Sequence, residues 1–381
     1  MAAVVVSALA YHLTVEIPYQ RQQAAIRAIR AVGGSVQITR RGSQRLRDFV
    51  GPDFCNRFDI VKSVGFSGLP IDDNALRHVV GFKHLKRLSL DGTKVSDRGL
   101  RHLAGLTHLE ALGIHRTPIT NDGLRHIGGL KSLRSLALDG TLITDGGLAH
   151  LKSLKSLRNL TLDGTLISDD GLAHVGSLES LEHLRLEFTL ITDDGLIHLS
   201  GLTQLQLLSV ANTRVSDDGL THLNDLENLY CLILDGTQVD GSGLGSLSRL
   251  RRLTTLRLNA TPLDDDGLVQ VNKLETVRNL SLDGTNVTND GLAHIARQDQ
   301  LLSLSLSKTQ ISCDGLRHLG ELRELRSLSL DSTTVNDKGI QHLVSLPQLR
   351  QLSVKNTTVS AAGIENFSTL RQVKVACKIT Y

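Results

Sequence analysis

One 24-residue unit is repeated twelve times, without an insertion, between Leu85 and Gln372. The copy from Leu133 to Ser156 reads LRSLALDGTLITDGGLAHLKSLKS, and the shared template is L-x-x-L-x-L-x-x-T-x-[IV]-[ST]-x-x-G-L-x-H-L-x-x-L-x-x. A unit this short cannot bury an apolar face alone, so each copy must stack on its neighbours. The repeat therefore predicts a solenoid, in which chain length does not set the number of domains.

Each unit predicts a strand, a turn and a short helix. In the first copy, Leu88 and Leu90 alternate around Ser89, which is typical of a short strand with one buried face. The conserved Thr follows, and we expect its hydroxyl to bond the backbone of the turn. Ser, Thr, Asp or Asn follows the [IV] position in all twelve copies, which predicts a helix N-cap. A Gly comes three residues later in all twelve, which indicates close approach of neighbouring coils or an unusual dihedral.

These motifs resemble the leucine-rich repeat family over about three quarters of the chain. The [IV]-[ST]-D-x-G-L run is similar to the subclass found in F-box proteins and in many bacterial proteins, although that subclass usually has Cys where this chain has Thr. The resemblance implies a right-handed α/β solenoid, or horseshoe, with a concave parallel sheet and convex short helices. It also implies a non-enzymatic protein-binding module.

We expect four segments along the chain. Residues 1–60 form an N-terminal segment and helical cap, 61–84 a degenerate first repeat, 85–372 the twelve repeats, and 373–381 a C-terminal closing strand. An apolar helical stripe that ends at Gly33-Gly34 supports the cap. Five phenylalanines are expected to cover the open end of the solenoid: Phe49, Phe54, Phe58, Phe66 and Phe82.

The first residues allow two interpretations. Met1 to Leu13 is apolar, but it is shorter than the ~20 residues of a membrane helix and lacks the positive flank of a signal peptide. It is either a buried or frayed first element, or the remnant of a membrane anchor or export segment at residues 1–15. Gln20–Ile38 resembles the juxtamembrane run of bacterial leucine-rich repeat proteins that begin with one membrane helix. Localisation stays open between cytoplasmic and membrane-anchored or exported.

Composition and motifs argue against several functional classes. The net charge is only +3, without a basic stripe, so we expect no nucleic-acid partner. The four cysteines share no close spacing, which fits free thiols rather than a disulfide framework or a zinc site. A phosphate loop, G-x-S-x-G, H-E-x-x-H and an EF-hand pattern are all missing from the sequence. We therefore predict no enzyme activity, no metal and no cofactor.

Two columns of identical residues invite a ligand hypothesis. Ten of the fifteen histidines share one helical repeat position, but a column along a solenoid does not converge on one metal ion, so we interpret it as structural. Acidic residues share the position after the strand, where they could bind a cation or a basic partner. The alternative, which we favour, is that they bond local amides of an Asp-Gly turn. The acidic column is Asp91, Asp139, Asp163, Glu187, Asp235, Asp283 and Asp331.

Exposed strand positions are small in most repeats but not between residues 183 and 257. Phe188 and Tyr230 are the only aromatic residues between Leu85 and Ser360, and we expect them at opposite edges of the sheet. Aromatic residues and Arg are enriched at binding hot spots, although drift of the repeat would give the same pattern. The candidate partner-binding residues are His183, Arg185, Glu187, Phe188, Leu207, Tyr230, Ile233 and Arg257.

The sequence thus predicts a monomeric scaffold that binds a partner protein on its concave face. One alternative is a receptor or sensor ectodomain that is membrane-anchored through the N-terminus or exported. A more distant alternative is the substrate-recognition subunit of a ubiquitin-ligase-like complex, although no F-box-like segment lies upstream of the repeats.

Overall fold

The computed structural model describes residues 2–41, 43–371 and 374–376, and the chain divides into two compact units, Met1–Ile167 and Ser168–Tyr381. Within each unit, three-residue strands stack in parallel, and a short helix follows each strand after a turn. Strand partners are offset by one repeat, as in Leu88↔Leu112 and Leu208↔Leu232. The α/β solenoid predicted from the repeat is confirmed.

The first unit begins with a long helix. Helix α1 (Ala2–Tyr11) continues through a π-helical turn (His12–Glu16) into α2 (Ile17–Ala31). Strand β1 (Ser35–Thr39) pairs antiparallel with β2 (Ile60–Gly65), and β2 to β6 are parallel. The remaining strands are β3 (Arg87–Ser89), β4 (Ala111–Gly113), β5 (Ser135–Ala137) and β6 (Asn159–Thr161). The helices are α3 (Gln44–Val50), α4 (Pro52–Cys55), α5 (Asp97–Leu100), α6 (Asn121–Ile127) and α7 (Asp145–Leu148), with 3-10 turns at Asn56–Phe58, Asp73–His78, Arg101–Leu103 and Ala149–Leu151.

The second unit contains nine parallel strands among its described residues. They are β7 (His183–Arg185), β8 (Leu207–Ser209), β9 (Cys231–Ile233), β10 (Thr255–Arg257), β11 (Asn279–Ser281), β12 (Ser303–Ser305), β13 (Ser327–Ser329), β14 (Gln351–Ser353) and β15 (Lys374–Ala376). The helices are α8 (Asp169–Val175), α9 (Asp193–Leu196), α10 (Asp217–Leu220), α11 (Asp265–Val271), α12 (Asn289–Ile295), α13 (Cys313–Leu316), α14 (Asp337–Gln341) and α15 (Ala361–Arg371). Additional 3-10 turns are Ile197–Leu199, Thr221–Leu223, Leu244–Arg249, Arg317–Glu321 and His342–Ser345.

The core consists of aliphatic columns between the strands and the helices of each unit. In the coil that starts at β7, Leu184, Leu186, Ile191 and Leu196 are all fully buried. Full burial of such a side chain stabilises the fold by roughly 1.5–3 kcal/mol. The conserved Thr closes the turn as predicted, because its hydroxyl donates to the carbonyl of the last strand leucine, for example Thr189 Oγ1 to Leu186 O at 2.6 Å.

Eleven of the twelve predicted N-cap residues begin a helix, and the exception is Asp240, in whose coil the 3-10 turn starts at Leu244. Several of the eleven make no side-chain cap hydrogen bond. Ser216 makes no cap hydrogen bond. Its N–H and Oγ instead donate to the two carboxylate oxygens of Asp193 in the preceding coil, at 2.7 and 2.6 Å. Asp264 does cap its own helix, because the preceding coil has Gly241 where the acidic residue would be. The cap position thus joins neighbouring coils as well as starting helices.

The invariant helical Gly is explained by this contact. A Cβ atom on Gly219 would lie 2.4 Å from Asp193 Oδ1, and one on Gly195 would lie 2.3 Å from Asp169 Oδ1. Of the two explanations offered by the sequence, close approach of the neighbouring coil is therefore the one observed at these two glycines.

The N-terminal cap differs in part from its prediction. Ile26 and Ile29 of α2 are buried, and Phe66 and Phe82 are also buried. Phe49 is 87% exposed, and Phe54 and Phe58 are 43% and 42% exposed, so the expectation that all five phenylalanines cover the core is wrong. These three side chains belong to the short helices and the 3-10 turn between β1 and β2, which no repeat constrains.

The two chain ends bear on the remaining expectations. Along α1 and the π-turn, Val5, Val6, Leu9 and Leu13 are exposed. The first element is therefore not buried at these residues, which leaves a frayed element and the remnant of an anchor as the two interpretations. No helix of the described residues is both long and apolar enough to span a membrane. At the other end, Val375 lies in β15, which pairs with β14. The other residues of the predicted closing strand, Val373, Cys377 and Ile379, lie outside the described residues.

Candidate protein-binding surface

The strand residues proposed from the sequence lie on four adjacent strands of the second unit. In the register of β7 to β10, His183 pairs with Leu207, and Arg185, Ser209, Ile233 and Arg257 form one row across the sheet. At about 4.8 Å per strand, this row spans roughly 14 Å. Because alternate strand residues share a face, the row lies on the side opposite the buried leucines.

The two aromatic residues flank these strands. Tyr230 immediately precedes β9, and Phe188 follows the end of β7, so they lie toward opposite ends of the parallel strands. Phe188 is 63% exposed and Tyr230 is 41% exposed. Both rings are therefore available to a partner, as the repeat template predicts for their positions.

Both arginines are held by carboxylates on the same surface. Arg185 lies 2.8 Å from Glu187 Oε1, which also accepts a hydrogen bond from Ser209 Oγ at 2.8 Å. Arg257 donates from one terminal nitrogen to Asp235 Oδ2 at 2.5 Å. A guanidinium carries five N–H donors, so Arg257 can also donate to a partner while it stays in this ion pair. The ion pairs orient both side chains in advance of binding.

Phe188 has a backbone conformation that disfavours its own side chain. Its φ is 57°, in the left-handed region, where a Cβ atom clashes with the neighbouring carbonyl oxygen. Five of the twelve repeats have Gly at this position, as at Gly140 and Gly236, which have φ of 62° and 65°. Six others also hold a residue other than Gly with positive φ, and all six of these are Ala or polar. A bulky residue with positive φ is uncommon and costs roughly 1–3 kcal/mol.

Two residues of these strands are less exposed than their positions predict. Ser209 is fully buried and Cys231 is 8% exposed, although both point toward the exposed side of the sheet. Larger neighbours cover them, including Glu187, which accepts a hydrogen bond from Ser209 Oγ. Burial also raises the pKa of the Cys231 thiol, which keeps it protonated and unreactive at neutral pH.

Sequence reasoning missed a set of exposed leucines directly after the conserved Thr. Leu142 and Leu166 in the first unit are 58% and 56% exposed, and Leu190 in the second unit is 51% exposed. Other repeats have polar residues or Pro at this position, for example Lys94, Pro118 and Gln238. Comparing the twelve residues at this position would have identified the leucines.

The acidic column bonds backbone amides, but not those of its own turn as predicted. Asp139 Oδ1 accepts from the N–H of Asp163 at 2.9 Å, and Asp283 Oδ1 accepts from the N–H of Ser307 at 2.7 Å. Each donor lies one repeat further along the chain. The carboxylates therefore connect successive coils, which gives the column a structural role that the sequence did not reveal.

The histidine column offers no converging metal site among the described residues. His102 and His222 are partly exposed, and His150 and His198 are exposed on the helical side of their coils. Within residues 2–41, 43–371 and 374–376, no group of three or more His, Cys, Asp or Glu side chains could hold a metal ion.

Comparisons with known proteins identify the family of this chain. The family model described as a leucine-rich repeat region matches residues 133–381. The chain belongs to the leucine-rich repeat family. Members of this family are generally protein-binding modules without catalytic activity. The search of curated proteins gives no significant match.

Two solved structures share the fold of this leucine-rich repeat protein. An internalin from Listeria monocytogenes is 18% identical, with a TM-score of 0.55 over 84% of this chain and 87% of the internalin. A leucine-rich repeat protein from Leptospira interrogans is 17% identical, with a TM-score of 0.52 over 83% of this chain and 89% of that protein. At this level of identity, the likeness concerns the fold alone.

Proposed function

We propose that this protein is a non-enzymatic scaffold that binds a partner protein on the exposed face of strands β7 to β10. The binding surface consists of the eight residues from His183 to Arg257 identified above. The observation that carries the proposal is Phe188, an exposed aromatic side chain at a repeat position that holds Gly, Ala or a polar residue in the other eleven copies. Folding alone does not account for an aromatic residue at that position.

The rest of the surface fits the same role. Binding hot spots are enriched in Tyr, Trp and Arg. Arg185 and Arg257 are already oriented by Glu187 and Asp235, so little side-chain entropy is lost when they contact a partner. Leu207 and Ile233 are partly exposed between them and add apolar area. Drift of the repeat would produce single exposed residues, whereas here aromatic, aliphatic and arginine side chains cluster on four adjacent strands.

The test compares protein capture from the source cell's lysate by wild type and by an Arg185→Ala/Phe188→Ala/Tyr230→Ala variant. The matched control, Ile197→Ala/Val269→Ala/Arg297→Ala, removes two exposed apolar residues and one exposed Arg from the helical side of the same unit. We expect one protein to be captured by wild type and control but lost by the first variant. Circular dichroism establishes that all three proteins are folded. Equal capture by all three would refute the proposed surface.

One observation favours a second candidate function, a receptor or sensor held at a membrane through its N-terminus. Val5, Val6, Leu9 and Leu13 expose apolar side chains on one continuous helix, and water disfavours such exposure. Flotation with lipid vesicles would support it if Val5→Asp/Leu9→Asp abolished flotation, and no flotation of wild type would refute it. We also propose that the repeats belong to the bacterial type with the [IV]-[ST]-D-x-G-L run, on sequence grounds.

A further inference from the structure

A cavity in the first unit has the size of a small-molecule site. Its volume is about 610 Å³, and its walls come from the start of α2, the segment Arg57–Ile60 and the segment Arg77–Phe82. Cavities of roughly 300–1,000 Å³ with apolar walls and a few convergent polar groups are typical of ligand sites. This cavity shares no residue with the sheet surface discussed above.

The apolar part of the cavity comes from α2 and from the residues around β2. Ala25 of α2, Ile60 of β2 and two aromatic residues, Phe58 and Phe82, line this part. Phe82 is 3% exposed and belongs to the core, whereas Phe58 is 42% exposed. A ligand that covered the Phe58 ring would remove apolar surface from water, which favours binding.

The charged groups at the cavity are mainly donors. Arg57 is fixed by Glu16 at 2.8 Å and by Tyr19, whose ring centre lies 5.5 Å from the guanidinium carbon. Arg21 and Arg77 line the same cavity, are exposed, and form no ion pair with any residue that the structure describes.

The one carboxylate in the lining is already satisfied. Asp59 is 9% exposed, forms an ion pair with Arg47, and accepts the backbone N–H of Arg41 at 2.8 Å. It therefore does not neutralise Arg21 or Arg77. Unpaired guanidinium groups beside an apolar wall match a ligand that has an anionic group and an apolar body.

We propose that this cavity binds a small amphiphilic anion, a carboxylate or phosphate held by Arg21 and Arg77 with its apolar chain against Phe58 and Phe82. The inference goes beyond the proposed scaffold function and is independent of it. Filling the cavity at Ala25 or removing the two guanidinium groups should each abolish or weaken binding.

Isothermal titration calorimetry with octanoate, octyl phosphate and octanol tests the proposal on the whole chain. We expect at least one anion to bind wild type, and octanol to bind at least about tenfold more weakly, because a charge-assisted hydrogen bond is about twice as strong as a neutral one. The anion that binds more tightly identifies the head group. Equal binding of octanol, or no binding of either anion, would overturn the proposal.

Variants then assign the site. Arg21→Gln/Arg77→Gln should weaken anion binding at least about tenfold, because each charged hydrogen-bond donor is replaced by a neutral one. Arg326→Gln, at an exposed arginine of the second unit, is the matched control and should bind like wild type. Ala25→Phe should block the cavity, and its thermal unfolding curve establishes that it is folded. An unchanged affinity in the double variant would overturn the assignment.

Discussion

Replacing Phe188 by Gly and, separately, by Ala tests the left-handed backbone conformation at the edge of the proposed binding surface. At an ordinary position Ala is the more stable residue, because Gly loses about 0.5–1 kcal/mol more conformational entropy on folding. At Phe188 we expect the reverse order. A φ of 57° is unfavourable for any residue with a Cβ atom, and Ala has that atom whereas Gly does not.

The magnitude follows from two opposing effects. The left-handed conformation costs an L-residue roughly 1–2 kcal/mol, and Gly relieves that cost. Subtracting the entropic cost of Gly, about 0.5–1 kcal/mol, leaves the Gly variant more stable than the Ala variant by about 0.5–1 kcal/mol. Both variants lose the same ring, so the partial burial of Phe188 cancels in the comparison.

Urea unfolding followed by circular dichroism measures this difference. Arg185→Gly and Arg185→Ala are the matched control pair, because Arg185 lies in β7 without a positive φ, and there the Ala variant should be the more stable. A Phe188→Ala protein as stable as Phe188→Gly would refute the backbone argument. If the proposed partner is captured, both Phe188 variants should lose it equally, since binding depends on the ring.

Two further predictions address the scaffold. Gly195→Ala should destabilise the protein by about 1–3 kcal/mol in urea unfolding, because the new Cβ atom would lie 2.3 Å from Asp169 Oδ1. This loss of stability should be smaller in an Asp169→Ala background, and an equal loss in both backgrounds would contradict the contact. The stability of Asp217→Asn relative to wild type should increase as the pH rises, although the amide accepts the backbone N–H groups of Asp240 and Gly243 less well than the carboxylate does at every pH. Burial, together with the nearby Asp240 carboxylate, raises the pKa of Asp217, so wild type loses stability as the pH rises through that raised pKa and the neutral amide does not. Urea unfolding at several pH values measures this change, and a stability difference that stays constant with pH above the ordinary aspartate pKa of 3.8 would contradict it.

The fold could be predicted from the sequence because every contact of one coil recurs 24 residues later. The alternation of Leu88 and Leu90 places one face of a strand in the core, and the period then places every other leucine. The sequence could not show which backbone N–H groups the acidic residues bond. Asp139 lies next to its own turn in sequence, and only the stacking of the coils brings the N–H of Asp163 to its carboxylate.

The candidate surface could be predicted in part. The repeat positions of Phe188 and Tyr230 predict that both side chains are exposed, as observed. Alignment of Phe188 with Gly140 and Gly236 also indicates its left-handed backbone conformation. Burial of Ser209 could not be read from its position, because it depends on larger side chains on adjacent strands. Phe49 is exposed and lies outside the repeats, so the 24-residue period makes no prediction about its burial.

The scaffold contacts also show which departures from the repeat are informative. The acidic residue at the helix start, the cap residue of the next coil and the invariant Gly depend on one another, so a change at one of them changes the fold. The exposed strand positions of Arg185, Ile233 and Arg257 have no such dependence, and substitutions there are tolerated at little cost. The position of Phe188 has a left-handed backbone that favours Gly, but six other repeats also hold Ala or a polar residue there. Phe188 is the only large apolar residue at this position in the twelve repeats, so its exposed ring, rather than its backbone conformation, points to binding.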